Sequence, residues 1–490
     1  VGGNSALLCP KTNFINLVHQ VDFQCNGKTI ESTQPFINIA KNFQMMSEMS
    51  YGDLVNYGAT LGFPESSLDN PRSAKWCGAG GASLQGNGFT NNIGFQSKAN
   101  FSASRFQTTV GATQNALVIN DALGQKLSRF VDTTAANGNG LMSIVSATQI
   151  DNEFRPSYRV LNTNYMVWYD YAVIKLGTLL ESIEQIGLVK KFDCTLRFWF
   201  NTGTLNISVL NPNALNLGYT LTSANNTFTN ACPFMVNYLA DVSTNGGIPT
   251  TTTNVVVGCY ISKPPSTTFA GINLASSGAS HPLPSCRIYF SQIAINPQKA
   301  LTYVEANRHK KVIYRSVLTN QYNNLSAGST FNQLINSGVI NPTGVLIVPF
   351  IGSTTANGFG DYQWKSPFDS CPSTTAPISL LNLQVSVGGV NQLQSTLNYT
   401  YENFIEQVSL AEALTSADFG VTCGLFNQTW WETFRYYFVN VERSDMADKL
   451  QPRNINISFQ NNSLVPIDIL VFTFYNDSLT IDVESGLVIK

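Results

Sequence analysis

The chain has 490 residues, too many for one ordinary hydrophobic core, so length favours two to four domains. Charged residues make up only 12% of it, about half the usual share, while hydrophobic content is near normal at 43%. A net charge of −2 and a pI near 6.0 argue against a nucleic-acid-coating role, and the ample apolar supply argues against disorder.

Asn, Ser, Thr and Gly take the place of the missing charge, which describes a polar but largely uncharged surface. Such a surface suits burial against other subunits, because charges are costly to desolvate and are depleted at interface centres. An Asn-rich β-protein from an AT-rich genome would have the same composition.

In chain order, short apolar runs alternate with Gly/Asn/Pro/Ser turns, the pattern of a β-sandwich or barrel. Strands are predicted at Phe14 to Phe23, Leu196 to Phe200, Val255 to Ile261 and Arg287 to Ile295. More follow at Val345 to Ile351, Asn382 to Val387, Tyr436 to Val441 and Ile467 to Tyr475. Asn26-Gly27 and Gly388-Gly389 mark tight hairpin turns. Helices are expected at Phe36 to Met49, Tyr171 to Ile186, Asn296 to Asn307 and Tyr401 to Leu414. Asn296-Pro297 supplies the cap and pre-set first turn of the third of these. The run Ile467 to Tyr475 is apolar on both alternate faces, so it needs cover on both sides, from its own core and from a neighbour.

Several segments occur twice. Asn56 to Phe63 and Asp418 to Leu425 share the order polar, aromatic, Gly, small or apolar, Thr, apolar, Gly, apolar. Asn42-Phe43 precedes the first and Asn403-Phe404 the second. Arg197 to Phe200 is answered by Arg435 to Phe438, and Asn206 to Val209 by Asn456 to Phe459. The period is too long for a solenoid, so two copies of one domain are read in tandem, with Gly58 matching Gly420 and Gly62 matching Gly424. Copy one spans 1–296, a connecting helix 297–310, and copy two 311–490. Copy one carries the longer loops, at 70–140 and 210–285.

Site chemistry is scarce. The histidines, His19, His281 and His309, stand far apart with no carboxylate or Cys at ligand spacing. Asp151 with Glu153, and Asp477 with Asp482 near Trp430-Trp431, are the only carboxylate pairs suggesting a glycosidase; turn chemistry and core anchoring explain them as well. Gly78-Ala79-Gly80-Gly81 and Gly138-Asn139-Gly140 lack the following helix that a phosphate cradle requires. The basic cluster Arg308-His309-Lys310-Lys311 with Arg315 reads as helix-end complementation. Nine scattered cysteines without a C-x-x-C pair suit buried free thiols in a reducing compartment. No signal peptide or apolar run of about 18 residues is read, and N-x-S/T triplets are discounted as glycan sites. No catalytic, cofactor-binding or metal-binding residue is assigned.

A family resemblance rests mostly on copy two: Tyr401-Glu402-Asn403-Phe404, Ser416 to Gly420, Trp430-Trp431-Glu432, Arg435 to Arg443, Lys449 to Ile455 and the strand pair Ile467 to Tyr475 and Leu479 to Val483. The passage Arg287 to Asn307 adds to it. With these the chain resembles the double jelly-roll major capsid proteins of tailless icosahedral double-stranded DNA viruses, of the polinton-like virus, adintovirus and virophage type. The resemblance implies an all-β fold: two tandem eight-stranded jelly-roll sandwiches packed side by side, with few short helices and long loops. It further implies a non-enzymatic protein whose homotrimers form pseudo-hexameric capsomers of an icosahedral shell. Implied partners are neighbouring capsomers, penton and minor or cement proteins, and an internal membrane, with no sequence-specific nucleic-acid binding. Assembly would occur in host cytoplasm or nucleus, without secretion. The competing reading is a carbohydrate-binding or glycoside-active β-sandwich protein, such as a virion spike or lectin; a secreted adhesin is a third.

Overall fold

The computed structural model describes residues 5–61, 158–210, 220–239, 253–273, 287–352, 363–365, 378–411, 424–442 and 449–489, less short gaps within these ranges. The N-terminal half holds β1 (Ser5–Pro10), β2 (Val18–Cys25), β3 (Lys28–Ser32), α1 (Ile37–Glu48) and α2 (Tyr51–Leu61). These are followed by β4 (Tyr158–Asn162), β5 (Tyr165–Trp168), α3 (Leu176–Leu179), α4 (Glu181–Ile186), β6 (Cys194–Phe200) and β7 (Gly203–Leu210). Next come β8 (Thr220–Asn226), β9 (Phe234–Leu239), β10 (Thr253–Cys259), β11 (Thr268–Phe269) and β12 (Ile272–Asn273). Helix α5 (Pro297–Ala306) leads into β13 (His309–Leu325), β14 (Thr330–Val339), β15 (Pro342–Ile351), β16 (Leu380–Val387) and β17 (Val390–Asn391). The chain continues through α6 (Tyr401–Leu410), α7 (Gln428–Thr433), β18 (Tyr437–Asn440), β19 (Arg453–Asn461), β20 (Ile467–Asp482) and β21 (Val488–Ile489).

The C-terminal half is a jelly roll by its strand order. One sheet runs β13-β20-β15-β18 and the other β14-β19-β16-β17, all neighbours antiparallel. Counting β13 to β20 as one to eight gives 1-8-3-6 facing 2-7-4-5, the double Greek-key wrap of that fold. Residues Ile467 to Phe474 of β20 are buried on both faces. One face looks into the sandwich, where Asn336 of β14 donates to the Thr473 hydroxyl at 2.8 Å. The other shares its side with Phe438 (Phe438 and Phe474 centroids 6.4 Å apart), and Phe43 of α1 stacks on Phe438 at 5.4 Å. The required second cover therefore comes from the other half, as a helix rather than a sheet.

In the N-terminal half, β3-β2-β6 repeats the pairing of β17-β16-β19. Both hairpins turn on paired left-handed residues: Asn26 and Gly27 at φ 47° and 78°, Gly388 and Gly389 at 57° and 82°. These are the angles a two-residue hairpin loop needs. A helix follows each hairpin, α1 after β3 and α6 after β17, and Phe43 meets Phe404 with ring centroids 6.3 Å apart.

Several expectations need correction. Arg197 to Phe200 lies in β6, which pairs with β2 and so matches β19, whereas Tyr437 to Asn440 pairs with β15 in the opposite sheet. Asn206 to Val209 lies in β7, between β8 and β10, and is not the counterpart of β19. Short aromatic motifs recur in β-strands of any register, which is why the match misled. Phe14 to Leu17 is a 3-10 turn, and the strand begins at Val18. Ile467 to Tyr475 and Leu479 to Val483 form one 16-residue strand ending at Asp482, because β13 offers a continuous ladder from Tyr322 to His309, with a register shift only between Tyr322 and Leu325. Tyr171 to Ile186 breaks into α3 and α4 at Leu180, whose backbone is extended (φ −129°, ψ 96°). Arg287 to Ile295 pairs with no strand among the described residues. Gly58 lies in α2; Gly62 and Gly420 fall outside the described residues.

Candidate functional site: the seam between the halves

The two halves meet along a buried seam with an apolar and a charged part. In the apolar part, Phe43 contacts Phe426, Tyr436 and Phe438 at centroid distances of 5.7, 5.4 and 5.4 Å. Such offset and tilted ring pairs add to plain area burial. The turn at Gly424-Leu425 docks on the C-terminal end of α1, where Leu425 N donates to Met46 O at 2.7 Å. That contact satisfies a carbonyl the helix end leaves open. Gly424 has φ +65°, and a Cβ there would overlap the carbonyl oxygens of Met46 and Ser47. A second ring chain crosses the seam from His19 to Phe36 (4.9 Å), Phe36 to Trp364 (5.7 Å) and Trp364 to Phe350 (5.2 Å). Burial pulls the His19 pKa down to about 4.

In the charged part, α1 presents Lys41, fully buried, with Nζ 3.0 Å from Gln44 Oε1. Burial holds the Lys41 ammonium below its usual range, and the Glu31 charge opposes that shift. Glu31 of β3 accepts from the Ser182 hydroxyl at 2.5 Å; burial raises its carboxyl, with Lys41 opposing. Arg315 of β13 reaches Glu48 of α1 (3.3 Å) and Glu181 of α4 (3.5 Å), and its backbone N–H donates to Glu181 at 3.2 Å. Strand β13 is thereby clamped to α1 and α4. Tyr314 lies beside this cluster: its hydroxyl is 2.8 Å from Ile30 O, to which it donates, and 3.0 Å from Asp477 Oδ2. Burial first, then Asp477, pushes its pKa up.

Backbone ties complete the seam. Lys310 Nζ donates to Ile186 O at 2.9 Å, placing a cation at the end of α4. Asn26 Nδ2 donates to Gly486 O (2.6 Å) and Lys28 Nζ to Val488 O (2.9 Å). The basic cluster thus opens β13, and two of its members, Lys310 and Arg315, fasten the halves rather than serving the end of α5.

Of the glycosidase candidates, Asp477, Asp482 and Trp431 fall within the described residues. Asp477 and Asp482 lie on one strand; Asp482 caps the turn by accepting from Glu484 N (3.0 Å) and Ser485 N (2.9 Å). Trp431 is buried with Arg435 over its ring at 4.7 Å, so it offers no sugar platform. Asp151, Glu153, His281 and both Gly-rich loops fall outside the described residues. Cys25, Cys194, Cys232 and Cys259 are free thiols, of which Cys25 and Cys232 are buried. Among the described residues no three His, Cys, Asp or Glu gather as metal ligands, and no helix is long and apolar enough to cross a membrane.

No family model matches the chain, nor does any curated protein. Similar solved structures include PBCV-1 VP54 fitted into a reconstruction of the virophage Sputnik. It has 8% identity and TM-score 0.35, covering 99% of this chain and 87% of that one. A quasi-atomic model of the PBCV-1 virus capsid gives 8% and 0.34, covering 99% and 88%. The Faustovirus major capsid protein gives 9% and 0.35, covering 97% and 73%. At these TM-scores the superpositions decide nothing alone; the observed strand order is the firmer ground.

The seam residues Lys41 and Glu31 escaped the sequence reading, and Arg315 was assigned to a helix end instead of the seam. Their signal was present in α1, where Ile37 to Ser47 are all buried and Lys41 is the sole charge among them. A helix without a polar face belongs between two bodies.

Proposed function

We propose that this chain is a structural capsid protein, with twin jelly rolls at 1–296 and 311–490 joined by the helical link 297–310, and that its trimers form pseudo-hexameric blocks of an icosahedral shell. The observation that carries this reading is the complete jelly roll of β13 to β20 welded by a buried seam to a half that repeats its β17-β16-β19 pairing. Jelly rolls serve both shells and lectins, so fold alone does not choose. The low share of charged residues favours shells, since charge is depleted at interface centres. Tandem modules around a threefold axis present six similar sides, which suits lattice packing.

The neighbours named above as capsid proteins agree with this role. Partners beyond the chain itself would be vertex and cement proteins and a membrane beneath the shell, with localisation in the virion. Class averages from negative-stain electron micrographs test the reading. Threefold blocks with a hexagonal outline are expected; solitary particles of one chain, together with specific glycan binding on an array, would overturn it.

A further inference from the structure

Cys25 ends β2 and Cys194 opens β6, and the antiparallel register sets the two directly opposite each other. Residues so opposed carry their side chains on the same face of the sheet. Asn26 N donates to Asp193 O at 2.9 Å, so the ladder bonds flank the Cys25–Cys194 pair and do not join it. On its other edge Cys25 pairs with Lys28 to close the hairpin loop. Antiparallel pairs without a mutual hydrogen bond hold their Cα atoms about 4.5 Å apart, within the separation a disulfide spans. The two thiols lie within hydrogen-bonding reach of each other.

Their surroundings divide the chemistry between them. Cys194 is exposed, open to a small oxidant, whereas Cys25 is completely buried. Burial pushes both thiols up, to about 11 for Cys25 and about 12 for Cys194, and the Asp193 carboxylate adds to both shifts. Thiols of that kind ionise rarely, and once joined they leave slowly, which suits a lasting link better than a rapid sensor.

The pair also borders the seam. Cys25 Sγ donates to Gly486 O at 3.7 Å, and Asn26 Nδ2 donates to the same carbonyl at 2.6 Å. Lys28 Nζ holds Val488 O at 2.9 Å. The end of the β2–β3 hairpin therefore grips the turn between β20 and β21. Joining the sulfurs removes the weak S–H bond to Gly486 O, which Asn26 still covers.

We infer that Cys25 and Cys194 are an oxidation site, which forms a cross-strand disulfide by exchange with a low-molecular-weight disulfide such as oxidised glutathione. The Cys194 thiolate attacks one sulfur of the oxidant, expels the first reduced glutathione and is left as a mixed disulfide. The Cys25 thiolate then attacks Cys194 Sγ and expels the second. Two protein thiols give up two electrons and two protons, and one glutathione disulfide becomes two thiols. The link encloses residues 26–193, so it removes much freedom from the unfolded chain. It also ties β6 to the hairpin that grips the C-terminal half. The inference rests on one strand pair and does not require the shell role.

The test equilibrates the reduced 490-residue chain with oxidised and reduced glutathione in several ratios, at about pH 8.5 to raise the thiolate fraction, until the products are constant. Remaining thiols are alkylated, and proteolytic peptides are weighed without reduction. The expected product is a linked pair of peptides containing Cys25 and Cys194, two hydrogens lighter than the separate peptides. In the linked chain, hydrogen exchange at 20–25, 194–200 and 482–488 should slow about tenfold, and the urea midpoint should rise. Cys194→Ser, made at an exposed side chain, should keep the near-ultraviolet circular dichroism of the parent and show neither change. Three results would each overturn the proposal: both cysteines recovered alkylated from a folded chain at the most oxidising ratio, glutathione retained on Cys194 without a link, or Cys194 joined to a different cysteine. Threefold blocks built from a chain that never forms the link would sink this inference and leave the shell reading intact.

Discussion

The apolar and charged parts of the seam hold the same two halves together by different physics. Around Phe43 the rings interlock and the Gly424 turn sits on the carbonyls of Met46 and Ser47, so shape and one backbone hydrogen bond fix the fit without any charge. Around Lys41 the fit depends on charges that cost much to bury and are tolerable only as a set. The apolar part should therefore fail in proportion to volume, and the charged part in proportion to imbalance. A protein that must seat two sandwiches in one relative position gains from both: the rings supply adhesion, and the ions penalise any other register.

Gly424→Val should have the largest effect, at least about 4 kcal/mol of unfolding free energy in urea titrations, because a side chain meets backbone that cannot step aside and φ is left-handed. Phe43→Ala should cost about 3–4 kcal/mol by leaving a ring-sized cavity. In the charged part, Lys41→Ala should cost about 3 kcal/mol, whereas Lys41→Met combined with Glu31→Gln should cost about 1 kcal/mol or less. If single and double variants lose the same amount, the charges are not acting as a set.

His19 probes what a charge does in the apolar part. Its folded pKa of about 4 lies below the ordinary 6.5, so the unfolded chain binds the proton more tightly. Its contribution is complete above pH 6.5 and is lost as the pH falls towards 4, on the order of 2 kcal/mol. Thermal melts across that window should show the slope, and His19→Gln should flatten it. Tyr314→Phe should have the smallest effect of the single variants, about 1 kcal/mol, since one hydrogen bond to Ile30 O is lost while the ring stays packed.

Local chemistry was legible where one or two residues dictate the backbone. Asn26-Gly27 and Gly388-Gly389 form the expected turns, and the Asn296 side chain accepts from Gln298 N at 3.0 Å to start α5. The two-sided burial of β20 was legible from its composition, as was the kinship of Phe43 and Phe404, which touch in the structure. Register was not legible: which aromatic strand pairs with which depends on contacts more than a hundred residues away, as for Val21 and Phe198. Ion partners were hidden for the same reason, since Glu31, Glu181 and Arg315 come from three distant elements.

Sedimentation of the native protein across a wide concentration range asks whether these fused sandwiches are a building block. A species of three chains that persists on dilution is the result expected here. A single-chain species at every concentration would contradict it.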